Sequence, residues 1–226
     1  MTEHEAPDAG SLVIGILGGT GDQGRGLARR FALAGNPVII GSRSAERAQD
    51  AAAEIGKETG PNVRGLANPD TARAADVVIA AVPWEGHGDL LSGLAAELTG
   101  KILVDCVNPM GFDKRGAYPL PVTEGSAAEQ AAVLLPDSTV VAAFHHVSAV
   151  LLLDPEVDSI DLDVLVLGDD RQATDLVQAL AGRIPGVRGI YAGRLRNCGQ
   201  IEALTANLVS INRRYKAHAG LRITDI

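Results

Sequence analysis

Three groups of residues have types and spacing suited to chemistry. The first is Gly18-Gly19-Thr20-Gly21-Asp22-Gln23-Gly24, in which Gly19, Gly21 and Gly24 keep a GxGxxG spacing. That spacing suits a pyrophosphate. Gly19 permits a sharp turn, Gly21 lets the backbone approach the anion, and Gly24 lets a following helix pack closely, its free N–H groups facing the charge. The second group is Ser42 and Arg43, with Arg47 one helical turn on. An NAD site places Asp or Glu here for the ribose hydroxyls, whereas a hydroxyl and two guanidinium groups suit a 2′-phosphate. The expected nucleotide is therefore NADP rather than NAD. The third group is His145-His146. Neighbours on an extended chain point apart, and no cysteine or carboxylate stands at ligand spacing, so no metal is expected. His145 is the candidate to stand near a reacting group.

The elements that must position these residues read as alternating strands and helices. Leu12 to Leu17 is apolar on both faces, as in a parallel strand covered by helices, and Arg25 to Ala34 reads as a helix with Leu27, Ala28 and Phe31 inward. Strand Val38-Ile39-Ile40 ends at Gly41-Ser42-Arg43, and the helix from Ala45 to Gly56 carries Ala48, Ala51, Ala52 and Ile55 on one stripe. Asn68-Pro69-Asp70 starts a short helix. A third buried strand, Val77 to Val82, stops at Pro83-Trp84; Leu90, Leu91, Leu94 and Leu98 mark a covering helix; strand Ile102 to Val107 ends in Asn108-Pro109. Val82, Pro83 and Asn108 thus fall at strand carboxyl ends, where open α/β sheets bind ligands. Trp84 suits either a packing role or a ligand contact.

Met110 to Thr123, rich in Gly and Pro, reads as a long loop, and Ser126 with Glu129 forms a capping box before a helix ending near Leu135. Strand Thr139 to Ala143 runs into the histidines. From Leu162 a smaller α/β theme follows: strand 162–167, a helix capped by Asp169 or Asp170, strand 187–191, and a final helix with Ile201, Leu204, Leu208 and Ile211 on one side. That stripe suits either a cover for the domain or a dimer interface. The expected fold is α/β, a Rossmann-type doubly wound parallel sheet with a small C-terminal α/β domain. The divisions are a disordered acidic tail over 1–10, an NADP-binding Rossmann domain over 11–150, and a small domain over 151–226 closing a cleft.

Composition narrows the function. The chain has 226 residues, 46% hydrophobic and 21% charged, which excludes a disordered chain and suits one large domain with at most a small appendage. No apolar run approaches the ~20 residues of a membrane helix, so no membrane association is expected. A net charge of −8 argues against nucleic acid, because no basic excess exists to displace counterions. Two distant cysteines, Cys106 and Cys198, point to a reducing cytoplasm.

In its glycine segment, in Gly41-Ser42-Arg43, in Ala81-Val82-Pro83-Trp84-Glu85, in the segment at His145, in Gly168-Asp169-Asp170 and in the run from Leu195 to Asn212, the chain resembles the NADPH-dependent reductases of the deazaflavin coenzyme F420. The likeness covers nearly everything beyond the acidic tail. It implies direct hydride transfer between NADP(H) and F420, a small-molecule redox co-substrate, in a cytoplasmic homodimer. It assigns Thr20, Gly21, Asp22 and Gln23 to the pyrophosphate, and Ser42, Arg43 and Arg47 to the 2′-phosphate. Val82, Asn108 and Ala149 go to the nicotinamide side, and His145, Val147, Gly220 and Leu221 to the deazaflavin. Thr20 and His145 are the candidates for positioning the rings. Arg194, Arg196, Arg213, Arg214 and Lys216 are candidates for the acidic tail of the deazaflavin. This chain departs from the family pattern twice: Gly86 follows Glu85 where histidine is expected, with His87 one later, and Ser148 stands where proline is expected before Ala149. Two alternatives stay open: an NADP-dependent reductase of a small imine or hydroxy acid, and a non-catalytic NADP-sensing regulator.

Overall fold

The computed structural model describes residues 8–226. The strands β1 (Ile14–Leu17), β2 (Val38–Ser42) and β4 (Val77–Ala80) are buried at every residue. β3 (Val63–Ala67) flanks β2, while β5 (Ile102–Asp105) and β8 (Thr139–Ala142) follow β4 across the sheet. β9 (Leu162–Gly168) and β10 (Val187–Gly193) complete an eight-stranded sheet of order β10-β9-β8-β5-β4-β1-β2-β3. Every pairing is parallel except β8 with β9. Strand order reverses beside β1, which opens a crevice outside the carboxyl ends of β1 and β4.

Helices cover both faces. α1 (Asp22–Leu33), α2 (Ala45–Thr59) and α8 (Arg171–Ala181) pack with Ile14, Ile16, Val77 and Ile79 on one side. α3 (Asn68–Ala74), α4 (His87–Gly93), α5 (Ala95–Leu98) and α6 (Ala127–Leu134) pack with Leu17, Val78 and Ala80 on the other. Adjacent strand residues feed opposite cores because side chains alternate along a strand. The caps follow the sequence: Ser126 accepts from Glu129 N at 3.0 Å, and Asp170, rather than Asp169, accepts from Ala173 N at 2.8 Å.

The C-terminal segment differs from a separate domain. β9 and β10 extend the Rossmann sheet, and Leu152, Ile160, Leu162 and Val164 share a core with Leu27 and Phe31. α7 (Ala149–Leu153) is tied to α1 by the buried Arg30, whose Nε donates to Leu152 O at 2.9 Å. The boundary at 150 is thus a connection inside one core, crossed because β9 buries both its faces. The acidic tail lies outside the described residues over 1–7. Its end is held rather than free: Ala9 is buried and its carbonyl accepts from Asn36 Nδ2 at 2.7 Å. The stretch expected as a loop contains a hairpin, β6 (Met110–Asp113) with β7 (Gly116–Pro119), turned through Gly116 at φ 125°. The last long helix is α9 (Cys198–Tyr215).

Candidate active site

The turn leaving β1 uses Gly18, at φ 70°, as its left-handed residue. The sequence reading gave that task to Gly19, whose constraint is instead close approach: a Cβ there would stand 2.9 Å from Ile16 O. Gly24 is where α1 meets the turn, since a Cβ would lie 2.7 Å from Gly19 Cα. A Cβ on Gly21 would meet only Gly18 O, at 3.6 Å, and would otherwise occupy the crevice. No side chain caps α1 at Gly21, so its first N–H groups are open to an anion.

Two cavities line the crevice. The larger, about 870 Å³, is walled by Thr20 and Gly21, by Ser42, Arg43 and Arg47, and by Val82 and Pro83. The smaller, about 310 Å³, is walled by Gly21, Asp22 and Gln23 on one side, by Val82, Pro83, Val107 and Asn108 on the other, and by His145. Gly21, Ala81, Val82 and Pro83 belong to both, so the cavities form one groove. It runs from two arginines to a histidine. Arg43 and Arg47 are exposed, and no carboxylate among the described residues pairs with either.

His145 is 4% exposed, yet neither ring nitrogen has a hydrogen-bond partner. Its backbone is fixed on both sides. Asn108 Nδ2 donates to His145 O at 2.8 Å, Thr205 Oγ1 donates to Asn108 Oδ1 at 3.2 Å, and Gln23 Nε2 donates to Phe144 O at 3.3 Å. Phe144 holds φ at 64°, an uncommon value for a bulky residue, and packs edge-on against Phe31. Burial pushes the His145 ring down to about 4, against the pull of Asp105 and with His146 adding to the fall, so the ring is neutral at pH 7. A buried neutral imidazole with both nitrogens unmatched is costly without a ligand.

The structure brings together Thr20, Gly21, Asp22, Gln23, Ser42, Arg43, Arg47, Val82, Pro83, Asn108 and His145. Gly19 and Gly24 support that arrangement from behind. Thr20 and His145 do not share a cavity: Thr20 lines the larger and His145 the smaller. Val147, Ala149, Gly220 and Leu221 are not on the groove walls. Val147 is buried, and Ala149 opens α7, which packs on α1. Gly220 packs on Leu162, and Leu221 O accepts from Asp163 N at 2.8 Å. Of the arginines considered for an acidic tail, Arg213 and Arg214 line a separate 650 Å³ cavity with Arg115, and Arg194 pairs with Asp169 at 3.5 Å.

Sequence reasoning missed Asn68, whose buried Oδ1 lacks a partner beside the larger cavity, Thr205, and the buried pair His87 and Asp105. Asn68 carried a usable signal, because it directly follows β3, at a strand carboxyl end. No group of three or more metal-ligating side chains occurs among the described residues, nor does any helix long and apolar enough to cross a membrane.

The strand order, the uncapped helix at a glycine turn and the groove between them define a dinucleotide-binding α/β protein. The comparisons narrow this class. A family model described as "NADP oxidoreductase coenzyme F420-dependent" matches residues 13–109. The F420-dependent NADP reductase of Methanothermobacter thermautotrophicus is 41% identical over 223 residues, covering 95% of this chain and 96% of that protein. That of Methanocaldococcus jannaschii is 42% identical over 224 residues, covering 95% and 99%. The crystal structure of a candidate F420-dependent NADP reductase from Arthrobacter sp. FB24 superposes with a TM-score of 0.81 at 28% identity, over 96% of this chain and 100% of that one. This chain belongs to the family of coenzyme F420-dependent NADP oxidoreductases.

Proposed function

We propose that the protein transfers a hydride directly between NADP(H) and the deazaflavin coenzyme F420, in either direction. Family membership supports the reaction, and the groove supports its layout. The observation that carries the reading is His145, a buried imidazole with two unmatched nitrogens at the far end of a groove that begins at Arg43 and Arg47. A deazaflavin has carbon where a flavin has a reactive nitrogen, so it exchanges two electrons as a hydride with a nicotinamide, and no nucleophile or metal is required of the protein.

The chain's residues then have distinct tasks. Gly19, Thr20, Gly21 and Gly24 shape the pyrophosphate cradle, with Asp22 and Gln23 in its first helical turn. Ser42, Arg43 and Arg47 receive the 2′-phosphate. Val82, Pro83 and Asn108 line the nicotinamide side. His145, neutral in the fold, donates one N–H toward the deazaflavin as charge develops there, while Thr20 steers the nucleotide. Ala149 on the nicotinamide side, and Val147, Gly220 and Leu221 on the deazaflavin side, are contacts made on binding. The segment of Gly220 and Leu221 is anchored by Asp163, which accepts from Arg188 and Arg222 at 2.7 Å.

The reading includes a cytoplasmic homodimer. Both cysteines are free and buried, and Phe112, Ile211 and Tyr215 present exposed apolar surface a second copy would cover. Steady-state assays with F420, NADPH and NADH test the activity. Oxidation of NADPH that depends on F420, with NADH a poor donor, is the expected result. Oxidation that instead depends on a small imine or hydroxy acid would refute it.

A further inference from the structure

Behind the groove lies a polar pair that the proposed reaction does not touch. His87, the first residue of α4, is fully buried, and its Nε2 stands 2.6 Å from Oδ2 of Asp105, the equally buried last residue of β5. Its Nδ1 stands 3.1 Å from Gln130 Oε1, on α6. The Gln130 amide is oriented by its nitrogen, which donates to Glu124 at 3.4 Å, so oxygen is the atom turned toward the ring. Two acceptors facing two ring nitrogens require two N–H groups, and a histidine with both is an imidazolium. Burial disfavours that charge, but the hydrogen bond and charge of Asp105, then Gln130 and Glu202, outweigh it, and the ring holds its proton above the usual range.

The pair reaches both walls of the groove. Asp105 uses its other oxygen, Oδ1, to accept Val107 N at 2.9 Å, which fixes the turn carrying Val107 and Asn108 to the smaller cavity. Asn108 passes the constraint to His145 O. On the opposite side the His87 ring lies 5.6 Å from the ring of Trp84, whose neighbours Pro83, Glu85 and Gly86 line the larger cavity. Other titratable groups face the pair from α9 (Glu202 and Cys198) and from the neighbouring strand ends (Cys106 and His145).

We propose that His87 and Asp105 are positioning residues that lock the Pro83–Gly86 and Cys106–Asn108 walls together while His87 is protonated and release them when it is not. Loss of the proton leaves one N–H for two acceptors, so a ring lone pair faces either Gln130 or Asp105, and the buried carboxylate loses its counter-charge, which loosens the anchor of the turn at Val107. The catalytic consequence rests on the hydride-transfer reading; the protonation state does not.

Proton–nitrogen correlated NMR of the full chain without nucleotide tests the lock directly. Two ring N–H groups on His87 are expected at pH 7.5. A neutral His87 at that pH would overturn the proposal. The second test is the pH profile of F420 reduction. The wild type is expected to lose kcat along an alkaline limb that is absent from H87Q, which keeps an N–H for Asp105 but no titrating charge. H87Q is expected to lower kcat at pH 7 by on the order of tenfold, within the range a small misplacement of reacting rings produces, while NADPH affinity stays within about twofold. E202Q is expected to retain the limb, which separates the titration of His87 from that of the buried Glu202. Persistence of the limb in H87Q would also overturn the proposal, and D105N, expected to remove one of the two ring N–H signals, replaces H87Q should that variant not fold. A protein that binds NADPH but passes no hydride to F420 would refute the function and leave the lock to be decided by the NMR signals.

Discussion

Replacing Arg43 and Arg47 tests the nucleotide end of the groove most sharply. In the described structure no carboxylate competes for either guanidinium, and both line the larger cavity beside the buried Ser42. A hydrogen bond to a charged group contributes about 1.5–3 kcal/mol. Both side chains are exposed, so screening by water and salt places each at the low end, about 1.5 kcal/mol. With 1.4 kcal/mol per tenfold, Arg43→Ala is expected to lower kcat/KM for NADPH about tenfold, and the double variant R43A/R47A on the order of 10²-fold. NADH lacks the phosphate, so its kcat/KM is expected to stay within about twofold, and the NADPH loss to shrink at high salt. Steady-state kinetics with both nucleotides at two ionic strengths gives all the quantities. Equal losses for NADPH and NADH, or no loss for NADPH, would refute the assignment of the arginines to the 2′-phosphate.

Gly24→Ala forces a Cβ to within 2.7 Å of Gly19 Cα, a backbone atom that cannot swing aside. A loss of about 1–3 kcal/mol and a Tm drop of several degrees are expected, with NADPH binding weakened in step; unchanged melting would contradict the packing. H145A is expected to lower kcat about 10–10²-fold with NADPH affinity unchanged, and full turnover would remove His145 from the reaction. The buried histidines and Glu202 make opposite contributions to stability against pH. His145 and His146 titrate near 4 in the fold against 6.5 in the unfolded chain, so acid protonates the unfolded chain first. Their contribution is complete above 6.5 and lost between 6.5 and 4, roughly 3 kcal/mol per ring. Glu202 is pushed up by burial to about 7 against 4.5, despite the N–H groups of Ala127 and Ala128 that it accepts. Its contribution is complete below 4.5 and lost between 4.5 and 7, again roughly 3 kcal/mol. Denaturant melts across pH 4–8 are expected to show E202Q gaining on the wild type as pH rises; a constant difference would contradict the burial argument.

Local signals carried most of the architecture. An apolar run before the glycines and a helical stripe after them identify β1, the cradle and α1. The arginines after β2 stand out because a single position there separates two nucleotides, and the fold sets both on the larger cavity. What escaped depends on distant segments meeting. His87 and Asp105 are 18 residues apart and joined only when β4 and β5 pair, with Gln130 arriving from α6, so no spacing marks them. The single sheet escaped for a similar reason: an apolar run records that β9 is buried on both faces, not that it lies antiparallel to β8. The hairpin within 110–123 was hidden by glycines and prolines, which serve loops and tight turns alike. Gly18 and Gly19 are adjacent and chemically identical, so only backbone geometry tells the turning residue from the packed one.

The central claim is that one groove holds both partners of a direct hydride transfer. NADPH deuterated on the transferred face of its C4, mixed with the protein and oxidised F420, measures this in one reaction. The expected result is loss of both chromophores in a one-to-one ratio, with deuterium recovered on C5 of the reduced deazaflavin. Deuterium released to water, or NADPH consumed while the deazaflavin spectrum stays unchanged, would contradict it.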